Sequence, residues 1–232
     1  MALDLLAFGP HPDDIEIGLG GTIARYMTLN LRVGLCDLTM GEIGSNGTPH
    51  ERLAESEAAR AVLGAAWRVN LRWPDRRIGK DPAHLDEAVA FIRQHQPRTV
   101  AVPYWLDRHP DHVAASELLT EAVFNAGLRR YPGSDAAWKA DWICYYFIND
   151  GAAPSFLVDV SDCYDRKRAA LDCHASQFQR GEAAAATRLN TPLFRQLVES
   201  RDAQFGALAG VPWAEGFVVR EPVLRTSLMR RA

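Results

Sequence analysis

The sequence predicts an α/β fold in which a mostly parallel sheet carries helices on both faces, and three observations predict it. Short apolar runs alternate with helix-length segments along the whole chain. The segments between the early runs are long enough for the crossovers that parallel strands require. One run, "RTVAVPY", is almost continuously apolar, as a strand buried on both faces must be.

The elements follow in order. "LDLLAFG" at 3–9 and "RVGLCDLT" at 32–39 read as strands, and "GGTIARYMTLN" between them as a crossover helix. After the loop "MGEIGSNGTPH", "ERLAESEAARAVLGA" reads as a helix. Leu53, Ala58, Val62 and Leu63 share one face, and acidic residues crowd the first turns, where the helix dipole favours them. "RVNLRWP" at 68–74 is a third strand, "AHLDEAVAFIRQHQ" at 83–96 a helix stopped by Pro97, and "RTVAVPY" at 98–104 a fourth strand. "VAASELLTEAVFNAG" at 113–127 reads as a helix with a glycine stop, and "ADWICYYFIN" and "PSFLVDV" as two further strands. Ser161 or Asp162 is expected to cap a helix through "CYDRKRAALDCHASQF". "TPLFRQLVESRDAQFGALAG" is the last helix, with Pro192 in its first turn. "GEAAAAT" at 181–187 is the only biased stretch and is expected to be short and mobile. There is no repeat and no linker, so residues 1–232 are expected to form a single Rossmann-like domain with right-handed crossovers.

Bulk properties narrow the function classes. Hydrophobic residues make up 47% and charged residues 24%, a globular balance that excludes disordered and fibrous chains. A net charge of -3 argues against nucleic acid as a partner, since phosphate binding needs a concentrated basic surface; a small anionic ligand is left open. Cys36, Cys144, Cys163 and Cys173 form no C-x-x-C pair and read as small buried thiols of a reducing compartment. "MALDLLAF" lacks the basic region and apolar length of a signal peptide, and nowhere do about 18 consecutive apolar residues occur. A soluble cytoplasmic protein with no membrane partner is expected.

The chemistry concentrates in two loops at strand ends, where ligands of open α/β sheets gather. One carries His11, Asp13 and Asp14; the other, "YWLDRHPDHVAAS", carries Asp107, His109, Asp111 and His112. Each contains His-Pro-Asp, and the proline lowers the entropic cost of holding several side chains towards one point. Imidazole and carboxylate suit Zn²⁺, and a catalytic site characteristically uses three protein ligands and leaves a position open. His11, Asp14 and His112 would supply that set, with Fe²⁺ or another divalent ion as the alternative occupant. Hydrolysis of an amide also needs a proton acceptor and later a donor, for which Asp13 is the candidate. His109, held by Asp111, could carry positive charge beside a developing oxyanion.

At these two loops the sequence resembles the zinc-dependent N-acetylglucosaminyl deacetylases, the LmbE-like or PIG-L-like family, through "PHPDDIEIGLGGTIA" and "DRHPDHVAAS". Further segments, "DLTMGEIGSNGTPHER", "WPDRRI", "YYFIN", "PSFLVDVSD", "KRAAL", "SQF" and "AEGF", resemble its bacillithiol-biosynthesis branch, the N-acetylglucosaminyl-malate deacetylases. The resemblance implies a sugar amide hydrolysed to an amine and acetate. It assigns His11, Asp14 and His112 to the metal, Asp13 to general base and acid, and His109 to oxyanion stabilisation with Asp111 orienting it. It also makes Arg52 a substrate contact and implies a homo-oligomer, with a hexamer the expected form. Pro10 stands where many members have alanine, which should stiffen the loop. Arginine grips carboxylates bidentately, so Arg52 and Arg108 are the candidates for a malate moiety, against a background of other arginines, Arg68, Arg72, Arg76 and Arg77, that usually stay solvated.

Rival readings fare worse. The glycines Gly18, Gly20 and Gly21 do not make a G-x-G-x-x-G dinucleotide fingerprint and are expected instead to let a helix approach the sheet. A non-catalytic sugar- or thiol-binding module would not need both Asp13 and His109. No G-x-S-x-G elbow supports a serine hydrolase. Deacetylation of other glycosides or oligosaccharides, and amide hydrolysis of thiol-sugar conjugates, would share the same metal machinery. Trp73, Tyr104, Trp105 and Trp213 are expected to serve packing more often than sugar stacking or an interface.

Overall fold

The computed structural model describes residues 2–181 and 184–224. Its sheet runs in the order β3-β2-β1-β4-β5-β7-β6, from β1 (Leu5–Gly9), β2 (Val33–Thr39), β3 (Trp67–Trp73), β4 (Thr99–Pro103), β5 (Trp142–Tyr146), β6 (Phe156–Asp159) and β7 (Ala214–Val218). The first five are parallel, while β7 pairs antiparallel with both β5 and β6. Strand order reverses at β1: the chain leaves it for β2 and β3, then returns to its other side as β4. The crevice beyond the carboxyl ends of β1 and β4 is therefore the place where a ligand can reach both. Both His-Pro-Asp segments follow these two strands.

Alternation along β1 sends Leu5 and Ala7 to one core and Leu6 and Phe8 to the other. The first core is closed by α1 (Asp14–Thr28), α2 (Pro49–Leu63), α5 (Tyr164–Cys173) and α7 (Pro192–Ala209); the second by α3 (Ala83–His95) and α4 (Pro110–Ala126). The short α6 (Ala175–Phe178) follows α5. Thr48 and Glu51 form a reciprocal capping box at the start of α2, and Gly64 ends it at a φ of 84°.

Several boundaries differ from expectation. α1 and α4 begin at Asp14 and Pro110, inside the two motifs, so Asp14, Asp111 and His112, expected on loops, occupy first helical turns. Proline suits the first helical position, and the His109 ring caps α4 by accepting the Asp111 main-chain N–H at 3.2 Å. Neither Ser161 nor Asp162 caps α5; they lie in a 3₁₀ turn, Ser161–Cys163, tied down by Asp159, which accepts from the Ser161 N–H and hydroxyl. β7 was not expected, because "AEGFV" carries a charge and a glycine at its centre. Of "GEAAAAT", residues 182 and 183 lie outside the described residues, and Ala185 exchanges hydrogen bonds with the Asn46 side chain. Trp73, Tyr104, Trp105 and Trp213 all pack: Trp73 stacks on His84, Tyr104 against Trp105, and Trp213 on Tyr164.

The glycines of "IGLGGT" do admit close packing, since a Cβ on Gly18 would overlap the Tyr146 ring and one on Gly21 would press on Val160. They also accompany a break: Leu19 leaves helical geometry at φ -145°, ψ 22°. The groups such a kink frees are taken by distant residues. Glu215 of β7 accepts from the Gly21 and Thr22 N–H groups at 2.9 and 2.6 Å, and Arg201 of α7 donates to the Ile17 carbonyl at 2.8 Å. Glu215 is in turn paired with the fully buried Lys167, whose Nζ lies 2.7 Å from it and 2.6 Å from Asp202. This is the physical content of the "KRAAL" and "AEGF" segments. Removing one member of a buried ionic cluster strands the others, so Lys167→Met is expected to lower the free energy of unfolding by about 3–5 kcal/mol in urea denaturation.

Candidate active site

The cleft beyond β1 and β4 has a volume of about 480 Å³ and is lined by all three expected metal ligands, by Asp13 and His109, and by Asp75. Asp14 sits at its centre. One carboxylate oxygen is 3.1 Å from His11 Nδ1, the other 3.4 Å from His112 Nε2. The far nitrogen of each ring is held by other carboxylates: His11 Nε2 lies 3.3 Å from both Asp75 and Asp111, and His112 Nδ1 lies 3.0 Å from Asp107. Asp107 is fixed by the His109 and Asn149 main-chain N–H groups, and Asp75 by that of Ile43.

This donor set fits a divalent cation. Histidines that bind metal through one nitrogen typically donate the other N–H to a carboxylate, which fixes tautomer and ring orientation. Among the described residues two groups of three have ligand atoms within 4.8 Å of one another, His11 with His109 and His112 and His11 with Asp75 and Asp111, and Asp14 belongs to neither. The Asp14 set is favoured because both near-side nitrogens face the same carboxylate, whereas Asp75 and Asp111 occupy the side of His11 that orients it. Burial works against charge on His11 and His112, but the surrounding carboxylates outweigh it, raising His11 well above its ordinary value and His112 to about 9. The same positive partners hold Asp14 well below the usual carboxylate range despite its burial.

Asp13 is 3% exposed and stands beside this group, where its hydrogen-bond and ion-pair partner is Arg52 rather than His11 or His112. Burial pushes its carboxyl up to about 6, with Arg52 opposing. His109 differs from expectation in two respects. Its Nδ1 accepts from the Asp111 main chain, while the Asp111 carboxylate turns to Arg76, at 3.0 Å, and to His11. Burial and the neighbouring His11 and His112 lower His109 to about 4, so it is neutral near pH 7. With Nδ1 accepting, the proton resides on Nε2, and the ring serves as a neutral donor rather than a charge.

The candidate arginines also separate. Arg52 is buried and committed to protein groups, donating to the Gly41 and Pro12 carbonyls at 3.0 and 2.8 Å. Arg108 is exposed at the mouth of the cleft, where it lies with Arg76 and Arg188. Arg188 donates to the Asn149 side chain at 3.3 Å. Arg68 is not solvated but bonds Asp37 and Glu16 under α1. Asp75, Arg76, Asn149 and Arg188 were missed as site residues; only Asp75 and Arg76 had a signal, being the polar centre of "WPDRRI".

A polar cleft at the strand-order reversal of a doubly wound sheet, with two carboxylate-braced histidines facing a shared aspartate, defines a small-molecule site suited to metal-assisted hydrolysis. Residues 6–123 match the PIG-L family, GlcNAc-PI de-N-acetylase, and the chain belongs to that family. It is 31% identical over 227 residues to the diacetylchitobiose deacetylase of Thermococcus kodakarensis, covering 91% of this chain and 81% of that one. It is 29% identical over 237 residues to a 1D-myo-inositol 2-acetamido-2-deoxy-alpha-D-glucopyranoside deacetylase of Rhodococcus opacus, covering 75% and 81%. Among solved structures, a conserved protein of Thermus thermophilus superposes with a TM-score of 0.89 at 39% identity, covering 98% of this chain and 99% of that one. The N,N'-diacetylchitobiose deacetylase of Pyrococcus horikoshii superposes with a TM-score of 0.81 at 25% identity, covering 93% and 82%.

The bracing carboxylates give a direct test. Asp107→Ala is expected to weaken divalent-cation affinity about 10- to 100-fold in a chelator competition, with the fold retained. Unchanged affinity would remove His112 from the ligand set.

Proposed function

We propose that this chain is a metal-dependent deacetylase that removes the acetyl group from N-acetylglucosaminyl conjugates, releasing acetate and a free amine. The observation that carries the reading is the meeting of both His-Pro-Asp segments around Asp14, with Asp13 adjacent and paired with Arg52, in a chain of the PIG-L family. His11, Asp14 and His112 would hold the cation, with Zn²⁺ the expected ion and Fe²⁺ the alternative. Bound there, it would supply Lewis acidity to water and to the amide carbonyl.

The protein's own groups do the rest. Asp13, with a carboxyl near 6, is ionised at neutral pH yet basic enough to take a proton from water, and can return it to the leaving nitrogen. His109 donates its Nε2–H to the oxygen on which negative charge develops. Asp107, Asp75 and Asp111 keep the two metal-facing rings in register.

The preferred substrate is N-acetylglucosaminyl-malate, as in bacillithiol biosynthesis. Arg108 and Arg188 at the rim support an anionic aglycone, because they are positioned to meet a carboxylate while the inner site holds the sugar amide. The likeness to the Thermococcus diacetylchitobiose deacetylase favours a second reading, a neutral N-acetylated disaccharide. The free thiols support a reducing compartment, the cytoplasm, and no helix among the described residues is long and apolar enough to cross a membrane. Exposed Leu193 and Leu197, one turn apart on α7, support self-association, for which a hexamer is the expected form.

Acetate release from N-acetylglucosaminyl-malate, N-acetylglucosamine and diacetylchitobiose separates these readings. The malate conjugate is expected to have the highest kcat/KM, and Arg108→Ala to lower it for that substrate more than for the others. Highest turnover on diacetylchitobiose would establish the second reading. Asp13→Asn is expected to reduce kcat by about 10²- to 10⁴-fold while elemental analysis finds the metal content unchanged. Lost metal would make Asp13 a ligand instead.

A further inference from the structure

Asp13 has φ 120° and ψ -29°, a main-chain conformation that residues with side chains rarely adopt, and it holds this conformation while buried. Such conformations persist where the surroundings enforce them. The enforcing group comes from α2. Arg52 Nη2 donates to the Pro12 carbonyl at 2.8 Å and reaches Asp13 Oδ2 at 3.5 Å, gripping the peptide before Asp13 and its carboxylate together. Nη1 is bonded to the Gly41 carbonyl.

The guanidinium lies in a seat lined by glycine. A Cβ at Gly41, whose φ is 65°, would overlap Nη1; one at Gly44 would stand 3.1 Å from the same atom; one at Gly47, with φ 72°, would stand 3.2 Å from Arg52 Cγ. A carboxylate taken bidentately needs two N–H groups on one side of the guanidinium. Each η nitrogen donates to a main-chain carbonyl, whereas Nε is buried and has no hydrogen-bond partner among the described residues. Arg52 lines the cleft, but its two shortest bonds tie the guanidinium to the main chain at Gly41 and Pro12.

We propose that Arg52 is a positioning residue, holding the Pro12–Asp13 turn so that the Asp13 carboxylate faces the cleft, with the glycines of loop 41–47 as its seat. Its consequence for turnover rests on the reading of Asp13 as the proton-transfer group. The test is a crystal structure of Arg52→Lys, which keeps the charge but loses the fork, alongside kinetics of Arg52→Lys and Gly41→Ala. Asp13 is expected to leave its positive φ or swing its carboxylate from the cleft. The kcat is expected to fall about 100-fold equally on N-acetylglucosaminyl-malate and N-acetylglucosamine, with KM held within about threefold. Gly41→Ala, which introduces a methyl under the guanidinium, should reproduce that pattern and decides the matter if Arg52→Lys fails to fold.

An unmoved Asp13 in the variant crystal would overturn the proposal. So would a rise in KM confined to the malate-bearing sugar with kcat retained, which would make Arg52 a substrate contact. Wild-type protein releasing no acetate from any substrate would remove the functional reading and leave the crystallographic test standing.

Discussion

The placement of Asp14 between two imidazoles, each braced from behind by carboxylates, is the constraint on which the site depends. An unbraced imidazole exchanges tautomers and rotates; one donating a hydrogen to a fixed carboxylate presents a defined lone pair on its other nitrogen. Asp107 does this for His112, and Asp75 with Asp111 does it for His11. The arrangement gathers Asp13, Asp14, Asp75, Asp107 and Asp111 around a few nitrogens. Those carboxylates raise both buried histidines above their ordinary values. Such a concentration of negative charge is the electrostatic setting that a divalent cation, displacing the ring protons that face Asp14, is suited to occupy.

The fold delivers that geometry through a helix that is broken on purpose. Asp14 must lie in the first turn of α1, close to the end of β1, yet the rest of the helix must pack flat on the sheet. The kink at Leu19 reconciles the two, and its cost would be unpaired main-chain groups in the core. Glu215 and Arg201 take up those groups, and Lys167 and Asp202 neutralise them in turn. Strand β7 thus matters to the site although none of its residues lines the cleft.

Much of this was legible in the sequence, and what was not has identifiable reasons. Periodicity placed the parallel strands and most long helices to within a few residues, because each buries a continuous apolar face, but α1 begins six residues before the expected segment, inside the polar motif. The two His-Pro-Asp segments named His11, Asp13, Asp14, His109, Asp111 and His112 because chemistry-bearing residues were adjacent in the chain. β7 was illegible because Glu215 is buried by ionic partners far away in sequence, so its polarity read as exposure. Arg188 was illegible for a related reason, since it acts through a contact 39 residues distant, with Asn149, and Asp75, marked only as a polar residue of "WPDRRI", meets His11 64 residues away. For Arg52, expected as a substrate contact, the sequence shows the charge but not the carbonyls of Pro12 and Gly41 that it bonds.

The distribution of arginine then divides the site into two zones with different duties. Arg52 and Arg68 have buried side chains bonded to main-chain carbonyls and carboxylates, and Arg52 holds the Pro12 carbonyl at the inner end of the site. Arg108 and Arg188 lie at the rim, exposed, where solvent screening weakens any single ion pair. A rim of this kind contributes discrimination only when two cations converge on one anion and the remainder of the substrate is already held, because the second contact is then made without a further loss of translational freedom. The acetamide and sugar ring, seated against the inner groups, would provide that anchorage. Changes at 108 would therefore leave the carboxylate-braced histidines undisturbed, whereas Arg188 is linked through Asn149 to Asp107 and His112.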